Sequence, residues 1–153
     1  MTTVTIDALI SEFEDIEKRS SNISTIAPVF GAIFQSDVDR RFQSAPSVNQ
    51  GGVVYGGEIW PRVEEEYLRR NPRRIGGQLL RDTGELQQSF TIGSRGNFYD
   101  VSNDSVTFGS TLPKARGLDS GRGNPRKARP LIFAHDQLAD ELTNAYIGYV
   151  FPS

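Results

Sequence analysis

The chain has 153 residues, of which 37% are hydrophobic and 24% charged, and its formal charge is −2. This length predicts one domain over residues 1–153, with a core but no room for a second domain. The absence of cysteine excludes disulfides, thiolate zinc sites and a cysteine nucleophile. A net charge this close to zero also excludes a protein that binds nucleic acid through its overall charge.

The N-terminal segment is acidic and lacks the basic start and apolar run of a secretory signal. No window of the sequence approaches the roughly 20 apolar residues that span a bilayer. We therefore expect a soluble protein that is made in a cytoplasm and has no membrane partner.

The first third of the chain predicts two amphipathic helices. Residues 6–19 place apolar side chains at three- and four-residue spacing, with acidic residues on the other face. This apolar stripe consists of Ile6, Leu9, Ile10, Phe13 and Ile16. A second helix is predicted from Ser24 to Ser44, and Pro28 is tolerated there because it lies in the first turn.

A glycine-rich loop, Ala45–Gly57, follows the second predicted helix and contains a short extended piece at Val53–Tyr55. Trp60 and Pro61 then precede a short helix, which we expect at Val63–Arg70. Because the only tryptophan of the chain is held by a proline, we predict that Trp60 is buried against one of the long helices.

The second half predicts strands and a final helix. A strand is expected at Phe90–Gly93, and a β-hairpin at Phe98–Ser102 and Ser105–Ser110, joined by Asn103 and Asp104. A long loop is expected at Leu112–Pro130, and a mostly helical segment at Leu131–Phe151. The predicted class is α+β, with a small antiparallel β-sheet packed by two N-terminal helices and a C-terminal helix, and with long loops.

Residues for catalysis or metal binding are sparse. His135 is the only histidine, and we expect it to cap the last helix or to face solvent. Its neighbours Asp136, Asp140 and Glu141 do not match the spacing of a metal site. The glycine pairs match no phosphate-binding loop. We therefore expect no catalytic residue, no cofactor and no metal.

A motif with a known parallel lies in the middle of the chain, at residues 80–90, which read LRDTGELQQSF. It resembles the L-x-D-T-G-x-L-x-x-S signature of the phage virion morphogenesis (tail completion) family. The matching residues are Leu80, Asp82, Thr83, Gly84, Leu86 and Ser89. Elsewhere in the chain, the Trp60 segment and the Ala-Arg-Pro-Leu segment with Arg129 and Pro130 also resemble family motifs.

The resemblance implies a structural subunit rather than an enzyme: a ring, expected to be hexameric, at the neck or head-proximal end of a phage tail. It implies a tail-completion, terminator or head–tail connector protein, assembled in the host cytoplasm and resident in the virion. The expected partners are further copies of itself and other neck and tail proteins, namely the tail tube, sheath, and stopper or adaptor. One departure concerns residues 110–125, which lack the family's tyrosine-alanine and histidine-x-x-glycine pattern.

The triplet Asp82-Thr83-Gly84 is also that of aspartic proteases. That fold needs two such loops or a dimer of a β-rich chain, whereas two long helices are predicted here. A structural role also explains these residues, since Asp82 or Thr83 can accept a backbone N–H at a turn and Gly84 can take positive φ.

Basic residues crowd two stretches, 69–81 and 113–129. We expect this charge to meet either the acidic first helix of another copy or the phosphates of DNA in a ring lumen. The candidate contact residues are Arg116, Arg122, Arg126, Lys127, Arg129, Glu14 and Glu17. The alternative function is therefore a binding module that grips nucleic acid through both basic stretches.

Overall fold

The computed structural model describes residues 5–153. The helices are α1 (Ile6–Ser21), α2 (Ala27–Gln43), α3 (Glu65–Arg70), α4 (Glu85–Gln88), α5 (Pro113–Asp119) and α6 (Asp136–Val150). The strands are β1 (Gly51–Val53), β2 (Ile59–Pro61), β3 (Asn97–Val101) and β4 (Val106–Ser110). Single 3-10 turns occupy Pro72–Arg74, Gly121–Gly123 and Pro125–Lys127.

The α+β prediction with antiparallel strands is confirmed, but the strands form two separate ribbons. β1 pairs with β2, and β3 pairs with β4. The hairpin turn lies at Asn103–Asp104 as predicted, and the Ser102 N–H donates to the Ser105 carbonyl over 2.9 Å. The extended piece expected at Val53–Tyr55 lies slightly earlier in the chain, as β1.

The two long N-terminal helices are confirmed, and their ends follow local chemistry. The Thr5 hydroxyl caps α1 by accepting from the Ala8 N–H at 3.3 Å. Pro28 lies in the first turn of α2. The β3–β4 hairpin packs on α2, where Phe34 stacks on Phe108 with ring centroids 5.7 Å apart.

The core gathers around Trp60, which is fully buried, as predicted. Its ring meets that of Phe42 on α2 edge-on at 6.2 Å. Buried apolar residues from most elements complete this cluster, among them Val38, Val48, Leu79, Leu86, Phe90 and Leu131.

The strand predicted at Phe90–Gly93 is wrong. These residues form turns that continue α4, in which the Phe90 and Thr91 N–H groups donate to the Gln87 and Gln88 carbonyls. Leu86 and Phe90 are both buried while Gln88 between them is exposed, which fits a helical turn, because a strand would turn all three to one face.

The long loop expected at Leu112–Pro130 is also wrong, because this segment folds into α5 and two 3-10 turns. Pro113 starts α5, and Ala115 is buried in the core. The segment folds back on itself through a bond from the Arg129 N–H to the Leu118 carbonyl. Gly121 permits this approach, since a Cβ there would lie 2.7 Å from the Ala128 nitrogen.

The last helix begins at Asp136 rather than at Leu131. Leu131 is buried in the core, and the chain is extended at His135. The residues between them therefore connect the core to the helix instead of adding a turn to it.

Candidate functional site

The family-like segments, far apart in sequence, meet along one side of the molecule. They line an open groove of about 670 Å³, which we call the basic groove. Its apolar lining includes Val63, Tyr67, Leu80 and Leu118, and its cations include Arg62, Lys114, Arg122, Arg126, Lys127 and Arg129. The sequence indicated the basic residues and Leu80, but not that Leu80 would join apolar residues of two other segments in one floor.

The Asp-Thr-Gly triplet forms part of this groove, and its Asp82 and Thr83 side chains accept hydrogen bonds within the chain. The Asp82 carboxylate accepts two hydrogen bonds from the Arg73 guanidinium, at 3.0 and 3.1 Å. Gly84 has φ +77° and stands at the start of α4, as predicted from its freedom to take positive φ. Aspartic proteases work with two carboxylates that share a proton, whereas Asp82 is matched by guanidinium groups.

The remaining residues of this motif anchor it to the core. Ser89 is fully buried, and its hydroxyl donates to the Leu86 carbonyl and meets the Ser110 hydroxyl, both at 2.7 Å. Leu80 is half-buried in the groove and has φ +60°, which is uncommon for a branched side chain. Within residues 5–153, the only other non-glycine residue with positive φ is Arg122, which also lines the groove.

The Trp-Pro and Ala-Arg-Pro segments are joined directly. The Trp60 indole N–H donates to the Pro130 carbonyl at 3.0 Å. The Arg129 guanidinium donates to the Pro61 carbonyl at 2.8 and 3.1 Å, and to the Arg62 carbonyl at 3.1 Å. Burial lowers the pKa of Arg129. Arg129 therefore holds the groove wall in place, and its bonding capacity is largely used within the chain.

Several of the other cations are also paired within the chain. Lys127 pairs with Glu64, and this ion pair lowers the pKa of that carboxyl. Lys114 pairs with Glu85 across the groove. Arg122 and Arg126, by contrast, take part in no ion pair within residues 5–153 and are exposed. Arg116 is likewise exposed on α5 but does not line the groove.

The acidic helix α1 is the second unusual surface, because none of its residues is buried. The apolar stripe predicted for this helix is open to solvent: Phe13 is 66% exposed and Ile6 is 76% exposed. Glu14 and Glu17 are exposed too. They lie one turn beyond Ile10 and Phe13, so these two carboxylates extend that side of the helix and do not lie on the opposite face expected for the acidic residues. Within residues 5–153, α1 is bonded to the rest of the molecule at its C-terminal end, where Arg19 Nε donates to the Val150 carbonyl at 3.0 Å.

A buried charged cluster lies between α2 and α6. The Asp37 carboxylate binds Arg41 through a 2.7 Å contact and His135 Nε2 through a 2.6 Å contact. Arg41 also donates to the Tyr55 and Leu131 carbonyls, and its guanidinium lies 4.0 Å from the centroid of the Phe133 ring.

His135 is the N-cap residue of α6, as predicted, and its carbonyl accepts from the Ala139 N–H. Its side chain, however, makes no capping bond and does not face solvent, because it is only 9% exposed and meets Asp37. The four-residue spacing of Asp37 and Arg41 could have indicated their pairing. The contact with His135, 98 positions away, leaves no such signal. Among the residues that the structure describes, no three His, Asp or Glu side chains are grouped as metal ligands would be.

Across residues 5–153, no helix combines the length and apolar character needed to cross a membrane.

Comparisons of the chain with family models, with curated proteins and with solved structures find no match.

Proposed function

We propose that the protein is a structural subunit of a tailed-phage virion, which forms an oligomeric ring at the neck or head-proximal end of the tail. In this role it completes the tail and joins it to the head, as a tail-completion, terminator or connector protein. Its partners are further copies of itself and the adjoining neck and tail proteins. The proposal starts from the signature at residues 80–89.

The observation that carries self-assembly is the open apolar stripe of α1. Ile6, Leu9, Ile10 and Phe13 are all more than two-fifths exposed, on a helix with no buried residue. In most soluble proteins an amphipathic helix owes its stability to packing of its apolar face. A contiguous apolar face left uncovered marks a contact surface for another protein.

The segments that resemble the family are arranged as structural elements. Trp60, Ser89 and Leu86 are buried, and Asp82 and Arg129 are engaged by other groups of the chain. These contacts hold the residues in place. A rigid arrangement of this kind suits a subunit whose function is to present a surface to its neighbours.

Negative-stain imaging of the purified chain tests this proposal. We expect closed rings with one number of subunits, and Phe13→Asp should abolish them because it places a charge in the apolar stripe. Val53→Asp is the matched control, since Val53 is 63% exposed on β1 and neither belongs to α1 nor lines the basic groove. A wild-type chain that stays monomeric at high concentration would contradict the proposal.

Nucleic-acid contact is the second candidate function, and the unpaired Arg122 and Arg126 favour it. Against it, Lys114 and Lys127 of the same region and Arg70, Arg73 and Arg74 of the other basic stretch already face carboxylates. If DNA is the ligand, duplex DNA should bind with an affinity that falls steeply as salt increases. Reversing the charge of both Arg122 and Arg126 should then abolish DNA binding and leave the rings intact.

A further inference from the structure

The position of α1 separates it from the basic groove of its own chain. Its C-terminal end is tied to α6 and to the hairpin end, through bonds from the Tyr149 hydroxyl to the Asn22 carbonyl and from the Ile23 N–H to the Asn103 carbonyl. The groove is lined by residues from the segments 61–67, 74–86 and 114–129, and none of these lies on α1 or α6. Residues 6–15 of α1 are all exposed.

The basic groove has the two features that an acidic amphipathic helix would need. Its floor offers half-buried apolar side chains from three segments, Val63, Leu80 and Leu118. Its rim carries Arg122 and Arg126, which have no carboxylate partner within residues 5–153. Helix-in-groove recognition combines apolar anchors at three- and four-residue spacing with charges placed at the edge.

We infer that α1 of one subunit docks in the basic groove of the next. This inference rests on the proposed function, because it specifies the contact between neighbouring subunits of the ring. Ile6, Leu9, Ile10 and Phe13 supply the apolar side of the contact. Glu14 and Glu17, which continue the same side of the helix, face Arg122 and Arg126.

Charge complementarity favours a second copy as the occupant. Residues 12–17 of α1 carry four carboxylates, those of Glu12, Glu14, Asp15 and Glu17, while the free charges of the groove are guanidinium groups. The two surfaces differ from each other, so the contact runs head to tail. Such an interface closes into a ring when the rotation between subunits allows it, and otherwise gives an open filament.

The test uses two full-length variants, each with one surface disabled. Phe13→Asp disables the helix. Gly117→Phe fills the groove, where a new Cβ would meet only the Arg122 side chain, at 3.5 Å. The matched controls are Phe98→Asp, an exposed aromatic on β3, and Gly148→Phe, a glycine of α6 with open space around it. Melting temperature and Trp60 emission verify that each variant folds.

At a concentration where the wild type is assembled, each disabled variant should be monomeric. The concentration at which it is half assembled should be raised by about tenfold or more, while both controls assemble like the wild type. A one-to-one mixture of the two disabled variants should give heterodimers and nothing larger, because it holds one intact helix and one intact groove. A charge test is independent of Gly117: Arg122→Glu with Arg126→Glu should prevent assembly, and adding Glu14→Arg and Glu17→Arg should partly restore it.

If the wild type forms rings, and Gly117→Phe and the arginine reversals assemble just as well, the helix-to-groove contact is wrong. The proposed function would still stand in that case. Open filaments from the wild type, abolished by the same variants, would support the contact and overturn the ring. A mixture of the disabled variants that stays monomeric would also overturn the contact.

Discussion

Replacing Asp37 by asparagine tests the buried cluster that ties α2 to the start of α6. The carboxylate is 4% exposed, and it faces the fully buried guanidinium of Arg41 at 2.7 Å and the ring of His135 at 2.6 Å. Asparagine has a similar shape but no charge, so the Arg41 cation would remain buried without its counter-ion. We expect the free energy of unfolding to fall.

The magnitude follows from the burial of both partners. Removing one member of a buried pair costs about 3–5 kcal/mol, because the charge left behind is desolvated and uncompensated. For a domain of this size the melting temperature shifts by about 2–4 °C per kcal/mol, so a decrease of roughly 6–20 °C is expected. Urea unfolding, followed by the emission of Trp60, measures this difference directly.

Glu141→Gln is the matched control, because Glu141 pairs with Arg40 at 2.9 Å with both side chains partly in solvent. Such a pair is worth about 1 kcal/mol or less, so this variant should unfold close to the wild type. An Asp37→Asn variant within about 1 kcal/mol of the wild type would refute the argument, since Arg41 would then need no carboxylate.

Three further predictions concern single side chains. Trp60→Ala should lower the free energy of unfolding by about 3–5 kcal/mol, measured by circular dichroism in urea, because the residue is fully buried in the core. The hydrogen bond from Arg40 lowers the pKa of Glu141 below its ordinary value of 4.5. The pair therefore contributes its full share to the free energy of unfolding above pH 4.5, and this share declines as the pH falls through the lowered pKa. Glu141→Gln should lose this part of the acid dependence of the free energy of unfolding. Asp82→Asn should cost about 1 kcal/mol or less through its exposed pairing with Arg73. Pepstatin-sensitive proteolysis by the wild type, abolished in Asp82→Asn, would show instead that the triplet is catalytic.

Local patterns in the sequence were sufficient to predict the helices at both ends, the β3–β4 hairpin and the burial of Trp60. The helices and the hairpin depend on a periodicity or on a short turn motif within one segment, and the burial of Trp60 follows from its residue type and the proline beside it. The prediction of a loop at Leu112–Pro130 was wrong because it relied on the glycines and prolines of this segment, which are typical of loops. Its fold depends on contacts with distant groups, such as the carbonyls of Pro61 and Arg62 that bind Arg129.

The candidate surfaces were predictable only in part. The charges of α1 and of residues 113–129 are visible in the sequence, and the family-like motif drew attention to Leu80 and Asp82. The pairing of Lys127 with Glu64, and the use of Arg129 inside the chain, depend on tertiary placement. The apolar stripe of α1 predicted a helix but not whether its own chain would cover it.

The mass of the assembled chain in native mass spectrometry, recorded over a range of protein concentrations, tests the ring most directly. We expect one dominant species whose mass is a fixed multiple of the subunit mass, and which dissociates to monomers in Phe13→Asp. Added salt should weaken it as well, since exposed charges are screened over about 8–10 Å at physiological ionic strength. A monomer at every concentration, or a continuous ladder of masses without a preferred number, would contradict it.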